Sequence, residues 1–88
     1  MHDLYVLSLQ LKAISKHVMV RTNNRIKIMI IFAYRKIKSS DEVPYLLKLK
    51  ILRYLYSIIN HYDFDDKNKI IDSLNYLASL IEERSDES

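Results

Sequence analysis

The stretch "HYDFDDKNK", residues 61 to 69, gathers the side chains of this sequence that are best suited to chemistry. His61, Asp63, Asp65 and Asp66 fall within six positions, and imidazole and carboxylate groups are common metal ligands. A calcium loop needs a longer ligand series and a glycine for its sharp turn, and both are missing here. We therefore predict a helix start, with Asp63 as the N-cap and Asp65 and Asp66 in the first turn. A metal site built from His61, Asp63 and Asp65 is the minor alternative.

The remaining groups that could support catalysis are scattered along the chain. The other histidines are His2 and His17, and no serine lies in a nucleophile-elbow setting. The chain has no cysteine, which excludes a thiol nucleophile, a zinc knuckle and a disulfide framework. It also has no glycine, on which phosphate-binding loops depend. We predict a non-enzymatic protein that uses no cofactor and no metal.

Charge divides the chain into two parts. Residues 1–60 hold 11 Lys and Arg against 3 acids, a balance of +8, whereas residues 61–88 hold 3 against 8, a balance of −5. One interpretation is a basic surface for nucleic acid, membrane phosphate or an acidic protein. The other is internal complementarity, in which an acidic fourth helix lies against a basic helix pair. The basic surface would consist of Arg21, Arg25, Lys27, Arg35, Lys36 and Lys38.

Apolar residues recur at helical spacing through most of the chain, so helices are the elements that position the charged and polar groups described above. Apolar residues at alternating spacings of three and four predict a first helix over about residues 3–19. A second helix, about 25–38, is apolar around nearly its whole circumference, which indicates burial on several sides. A third helix reaches about residue 60 and is apolar over more than half its circumference, and a fourth keeps helical spacing to residue 81. The stripe of the first helix consists of Leu4, Leu7, Leu11, Ile14 and Val18.

Capping residues predict where the helices begin. Asn23 or Asn24 can cap the second helix, and Ser40 is the predicted N-cap of the third, with Pro44 tolerated in its first turn. A glycine-free chain with four apolar stripes predicts an all-α protein, a small antiparallel four-helix bundle. The bundle would form a single domain over residues 1–84, followed by a short acidic tail over 85–88.

Membrane insertion is not expected. The longest uncharged apolar run is "IMIIFAY", residues 28 to 34, which is far shorter than the ~20 residues that a bilayer-spanning helix needs. The acidic Asp3 lies where a signal peptide carries positive charge, and no small-residue cleavage pattern follows. We therefore predict a soluble, cytoplasmic protein.

Aromatic and surplus apolar residues are the sequence signals for a protein partner. The tyrosines on or beside the third helix are either core residues with hydroxyls at the rim or interface residues, since Tyr combines a large area with a polar tip. They are Tyr45, Tyr54, Tyr56 and Tyr62. A helix in a lone bundle needs only about three apolar positions in seven to face the core. The surplus, which includes Ile28 and Phe32, predicts contact with another chain, most simply a two-fold homodimer.

Three stretches resemble a known family. They are "HDLY" near the start, "AYRKIKSSDEVPYLLKLKILRYLY" and "IINHYDFDDKNKIIDSLNYLASL". Together they resemble the enterocin-type immunity proteins of class IIa bacteriocins, which are small cytoplasmic antiparallel four-helix bundles. The chain departs from that family in a longer first connection and in the near absence of the C-terminal segment linked to specificity. The resemblance covers about residues 33–81 and depends on Pro44, Leu47, Leu52, Tyr54, Leu55 and Tyr56.

These observations favour one function and leave a second open. The first is a helical protein-binding protein of the immunity, inhibitor or adaptor type; the resemblance implies a partner at the cytoplasmic face of a membrane receptor. The alternative is a small basic nucleic-acid-binding regulator of viral or phage origin, which would bind through the first three helices. The candidate partner-binding residues are Arg21, Arg25, Arg35, Lys36, Lys38, Tyr45 and Tyr56.

Overall fold

The computed structural model describes residues 2–86, and side chains as far as residue 84. Four α-helices and no strand are found there: α1 (His2–His17), α2 (Asn23–Lys38), α3 (Tyr45–His61) and α4 (Lys67–Asp86). They form a compact body of about 35 × 20 × 15 Å with a radius of gyration of 12.2 Å. The predicted all-α bundle is confirmed. Residues 85 and 86 of the predicted tail continue α4, and residues 87 and 88 lie outside the described part of the chain.

Buried stripes on the four helices form a single hydrophobic core. The stripe predicted on α1, from Leu4 to Val18, is buried along its whole length. Each fully buried Leu or Ile contributes roughly 1.5–3 kcal/mol relative to an exposed one, so these stripes supply most of the stabilisation. Two serines of α1 also lie inside the bundle, and each hydroxyl hydrogen-bonds a backbone carbonyl three residues back. The buried stripe of α4 consists of Ile70, Leu74, Leu77, Ala78 and Ile81.

The helices pack in the cyclic order α1, α2, α3, α4. The closest pair is α1 and α4, α2 lies between α1 and α3, and α3 approaches α4 only sparsely. Two polar contacts reinforce the α1–α4 pair: the hydroxyl of Ser15 lies 2.9 Å from Asn75 Oδ1, and Lys12 forms an ion pair with Glu82. The α2 and α4 backbones are not neighbours in the described residues, so these two helices lie across the bundle from each other.

The starts of α2 and α3 differ from the prediction. Thr22 rather than an asparagine caps α2, because its side chain accepts a hydrogen bond from the Arg25 N–H at 3.2 Å. Helix α3 begins after Pro44, and no side chain caps it. Ser40, the predicted cap, instead donates to the carboxylate of Asp3 on α1. The loop between α2 and α3 is thereby fastened to the start of α1.

The carboxylates of the opening stretch also take different roles from those predicted. Asp63 does not cap α4; its Oδ1 accepts the N–H of Asp65 at 2.9 Å and closes a turn before the helix. Asp66 is the cap, because its carbonyl accepts the first helical hydrogen bond and its Oδ1 accepts the N–H of Lys69 at 3.4 Å. The prediction of a helix start near this stretch is confirmed, and the assignment of Asp63 as its cap is wrong.

Hydrogen bonds join the α1–α2 connection to the α3–α4 connection. Asn23 donates through Nδ2 to Asp65 Oδ1 at 2.7 Å and accepts at Oδ1 from Lys67 Nζ at 2.9 Å. Lys67 also donates to the carbonyl of Val18 at 3.3 Å. This Asn23–Asp65–Lys67 cluster fixes the two connections at the same end of the bundle.

Candidate functional site

The outer face of α2 carries exposed apolar side chains between basic ones. Its inward positions Ile26, Ile30, Ala33 and Ile37 are buried, and burial on several sides, which the sequence predicted, is not found. Ile28 is 49% exposed and Phe32 is 62% exposed. Arg25, Arg35 and Lys36, all exposed, lie three or four residues from them and therefore on the same face of the helix. We call the set Arg25, Ile28, Phe32, Arg35 and Lys36 the basic strip.

Among the described residues, no carboxylate forms an ion pair within 4 Å with a side chain of the basic strip. Helix α2 has five basic residues and no acidic one. The ion pair found in this part of the chain joins Lys12 of α1 to Glu82 of α4, and it involves no residue of α2. Lys27 is engaged differently, since its ammonium lies 5.1 Å from the centre of the Phe64 ring. Internal complementarity therefore accounts for a contact between α1 and α4 and leaves the positive charge of α2 facing solvent.

A shallow groove between α2 and α3 brings three of the predicted residues together. Its volume is about 280 Å³, and Arg35, Lys38 and Tyr56 line it. Tyr56 is exposed, and its backbone carbonyl accepts a hydrogen bond from Asn60 Nδ2 at 3.1 Å. Cationic, phenolic and amide groups thus border an apolar floor formed by Ile31 and Ile59. This α2–α3 groove adjoins the basic strip through Arg35.

The remaining predicted residues do not converge on the groove. Lys36 borders a separate hollow that also contains Gln10 of α1 and Phe32. Arg21 is exposed in the α1–α2 connection, where its N–H bonds the carbonyl of His17 at 2.9 Å. Tyr45 is the first residue of α3 and is 71% exposed. Five of the seven candidates therefore lie on one surface that runs from Arg25 to Tyr56, and Arg21 and Tyr45 lie outside it.

A second groove, which the sequence did not suggest, follows the sparse contact between α3 and α4. It has a volume of about 300 Å³ and a mostly apolar lining that includes Leu47, Ile51 and Leu80. Tyr54 also lines it, and burial raises the pKa of the Tyr54 phenol, with a hydrogen bond from Ser73 acting in the opposite direction. The sequence signal was present in the helical spacing of Leu47, Ile51 and Tyr54, but spacing alone does not show which neighbour leaves a face uncovered.

The outer face of α4 carries a further set of exposed side chains that the sequence did not indicate. Tyr76 is 58% exposed and Leu80 is 40% exposed, four residues apart on one face. Asp72 precedes Tyr76 by four residues and Glu83 follows Leu80 by three, and both carboxylates are exposed. The ring centres of Tyr76 and Tyr54 are 6.3 Å apart, so this face adjoins α3. We call the set Asp72, Tyr76, Leu80 and Glu83 the acidic strip.

The described residues contain no group of three or more histidines and carboxylates that could hold a metal ion. His61 contacts the Tyr56 ring edge-on at 6.4 Å between centres, and Asp63 and Asp65 are occupied by the hydrogen bonds described above. Within residues 2–86, no helix combines the length and the hydropathy that crossing a bilayer demands.

Compared with models of protein families, with curated proteins and with solved structures, the chain matches none.

Proposed function

We propose that the chain is a non-enzymatic protein-binding protein whose basic strip receives an acidic, amphipathic helix. The observation that carries this proposal is the exposure of Ile28 and Phe32 between unpaired Arg25, Arg35 and Lys36. Interface cores are enriched in aromatic side chains and arginine. An amphipathic partner helix would cover the two apolar side chains and set its carboxylates against the basic ones.

The class of protein follows from this mode of binding. A small bundle that presents a fixed helix face is suited to an immunity, inhibitor or adaptor role, and the resemblance to bacteriocin immunity proteins agrees with it. The connections between helices span only about five residues each, which supports an antiparallel order of neighbours. We place the protein in the cytoplasm, with its partner at the inner face of a membrane receptor.

Direct binding to a designed peptide tests the proposal. The probe is a fluorescent helical peptide with Leu at positions i, i+3, i+4 and i+7 and Glu on either side of that stripe. Phe32→Glu should reduce its affinity at least about tenfold, since it removes the central apolar contact and repels the peptide's carboxylates. Tyr45→Glu is the matched control, because Tyr45 is at least as exposed as Phe32 and lies outside the basic strip.

The outcome is read as anisotropy, with circular dichroism confirming that both variants remain helical. Loss of affinity in Phe32→Glu and its retention in Tyr45→Glu supports the proposal. Equal affinity of both variants for the peptide would overturn it.

Nucleic acid is the second candidate partner. The observation in its favour is that α2 holds five basic residues and no acid, with Lys38 and Arg35 at the α2–α3 groove. Binding to phosphates would weaken steeply with salt, because each neutralised phosphate releases a counterion. Duplex DNA retained at low salt and lost with a steep logarithmic slope would favour this candidate over the peptide. The side chains of Ile28 and Phe32, at the centre of the strip, have neither charge nor hydrogen-bond donors with which to bind phosphates.

A further inference from the structure

A second copy of the chain carries a surface that matches the basic strip. A two-fold contact centred on α2 would set the arginines and lysine of one copy against those of the other, and like charges across an interface are unfavourable. The acidic strip on α4 has the opposite sign and a similar apolar centre. We propose that the basic strip of one copy binds the acidic strip of the next, head to tail; this rests on the proposed function of the basic strip in binding protein.

The spacing of the two strips supports a specific register. From Arg25 the basic strip runs through Ile28 and Phe32 to Lys36, in steps of three, four and four residues. Read backwards from Glu83, the acidic strip takes the same steps. Both span twelve residues, whose ends are about 16 Å apart along the helix at the usual rise per residue.

Two antiparallel helices would therefore match these side chains pairwise. Arg25 would face Glu83 and Lys36 would face Asp72, so each end of the contact is an ion pair. In the same register Ile28 meets Leu80 and Phe32 meets Tyr76.

The positions of the strips on the bundle determine what such a contact builds. Phe32 borders Gln10, so the basic strip lies on the side of the bundle formed by α1 and α2. Tyr76 and Leu80 border Tyr54, so the acidic strip lies on the side formed by α3 and α4. In the cyclic order these sides are opposite each other. One copy can therefore bind two neighbours at once, and the contact extends into a row instead of closing as a pair.

Three basic side chains lie near the acidic strip. Lys69 lies on α4 seven residues before Tyr76, and its ammonium is placed 4.7 Å from the centre of the Tyr62 ring. Arg84 and Lys50 border the α3–α4 groove. They share that groove with Leu80 and Glu83 at the edge of the strip, and no basic residue lies between Asp72 and Glu83 in the sequence.

Complementation between two variants tests the proposal by sedimentation velocity. Phe32→Glu disables the basic strip and leaves the acidic strip intact, whereas Tyr76→Glu does the reverse. Unchanged protein should grow beyond a dimer with concentration up to about 100 µM, and each variant alone should stay monomeric. Mixed in equal amounts, the variants should form a 1:1 complex and nothing larger, since their two disabled surfaces put Glu opposite Glu.

Several outcomes would overturn the head-to-tail contact. Unchanged protein that remains monomeric, a mixture that remains monomeric, or dimers in Tyr76→Glu alone would each do so. Tyr45→Glu serves as a control that should assemble like the unchanged protein, and its failure to assemble would indicate a contact through the start of α3 instead. If assembly fails while the acidic peptide still binds and Phe32→Glu abolishes that binding, the basic strip binds a foreign protein and only the head-to-tail contact is lost.

Discussion

Several loop side chains stabilise a distant segment instead of the helix next to them. The carboxylate of Glu42, in the loop before α3, accepts the N–H of Asp3 at 2.8 Å and so caps the first turn of α1. Ser40 Oγ, besides its bond to Asp3, accepts the N–H of Glu42 at 3.2 Å. Lys48 Nζ donates to the carbonyl of Ser40, and so ties α3 to the same loop. Polar residues between helices here join separate parts of the chain.

At the start of α4 the roles of two aspartates can be separated by substitution. Asp66→Ala should lower the free energy of unfolding by about 0.5–2 kcal/mol, because it removes the N-cap. Asp63→Ala removes only a bond within the preceding turn and should cost less than Asp66→Ala. Urea denaturation of the two variants, matched in chemistry and three residues apart, measures the difference. A larger loss in Asp63→Ala would place the cap where the sequence first suggested it.

Contacts between the two connections also explain why the positions of the helix starts could be predicted from the sequence and the capping residues could not. Both connections contain more candidate caps than helices to cap, Thr22 to Asn24 in one and Asp63 to Asp66 in the other. The choice is made in the folded molecule, where Asn23 and Asp65 bond each other across the two connections. Local capping preference predicted that helices would begin near these residues. It could not predict which side chains the opposite loop would engage.

At the scale of the helices, α2 and α4 each carry two faces of different character. Periodicity predicted all four helices and the buried stripe of α1, since a face that enters the core must be apolar at every turn. It misjudged α2, because a run of apolar residues looks the same whether its outer face meets the core or solvent. The exposure of Ile28 and Phe32 shows that the outer face of α2 meets solvent.

Helix α3 should be the least protected of the four. It packs against α2 and only sparsely against α4, and the α3–α4 groove leaves part of its face uncovered, whereas α1 is held between α2 and α4. Local opening requires the least energy where the fewest buried contacts are lost. Hydrogen exchange followed by mass spectrometry should show faster exchange across Ile51–Ile58 than across Leu4–Leu11. Equal protection of the two segments would mean that the bundle opens only as a whole.

For the molecule as a whole, the basic strip and the acidic strip lie on different sides of the bundle. Helix α2 is basic without acids, and α4 lies on the other side of the bundle with the acidic strip on its outer face. Such a charge distribution favours the proposed head-to-tail contact, in which the basic strip meets the acidic strip, over contacts between like strips. The composition predicted the charge imbalance between the two parts of the chain, but only the packing order shows that α2 and α4 lie across the bundle from each other.

Self-association of the chain should therefore weaken with salt without vanishing. Raising sodium chloride from about 50 mM to about 500 mM shortens the range of charge interactions below roughly 5 Å and screens the end pairs, while the contact of Ile28 and Phe32 with Tyr76 and Leu80 is unaffected. Sedimentation at both salt concentrations measures the change, and thermal melts of the dilute protein control for stability. Association that strengthens with salt would indicate a contact held by apolar surface alone.

The close pairing of α1 with α4 has a consequence for how the chain acquires its structure during synthesis. Of the four helices, α1 leaves the ribosome first and α4, its main packing partner, leaves last. Ser15 can therefore contact Asn75 only after sixty more residues have been synthesised. Until then the stripe from Leu4 to Val18 is covered on one side at most, by α2. We therefore expect the growing polypeptide to expose apolar surface of α1 until Lys67 and the residues after it emerge and α4 can pack against that surface.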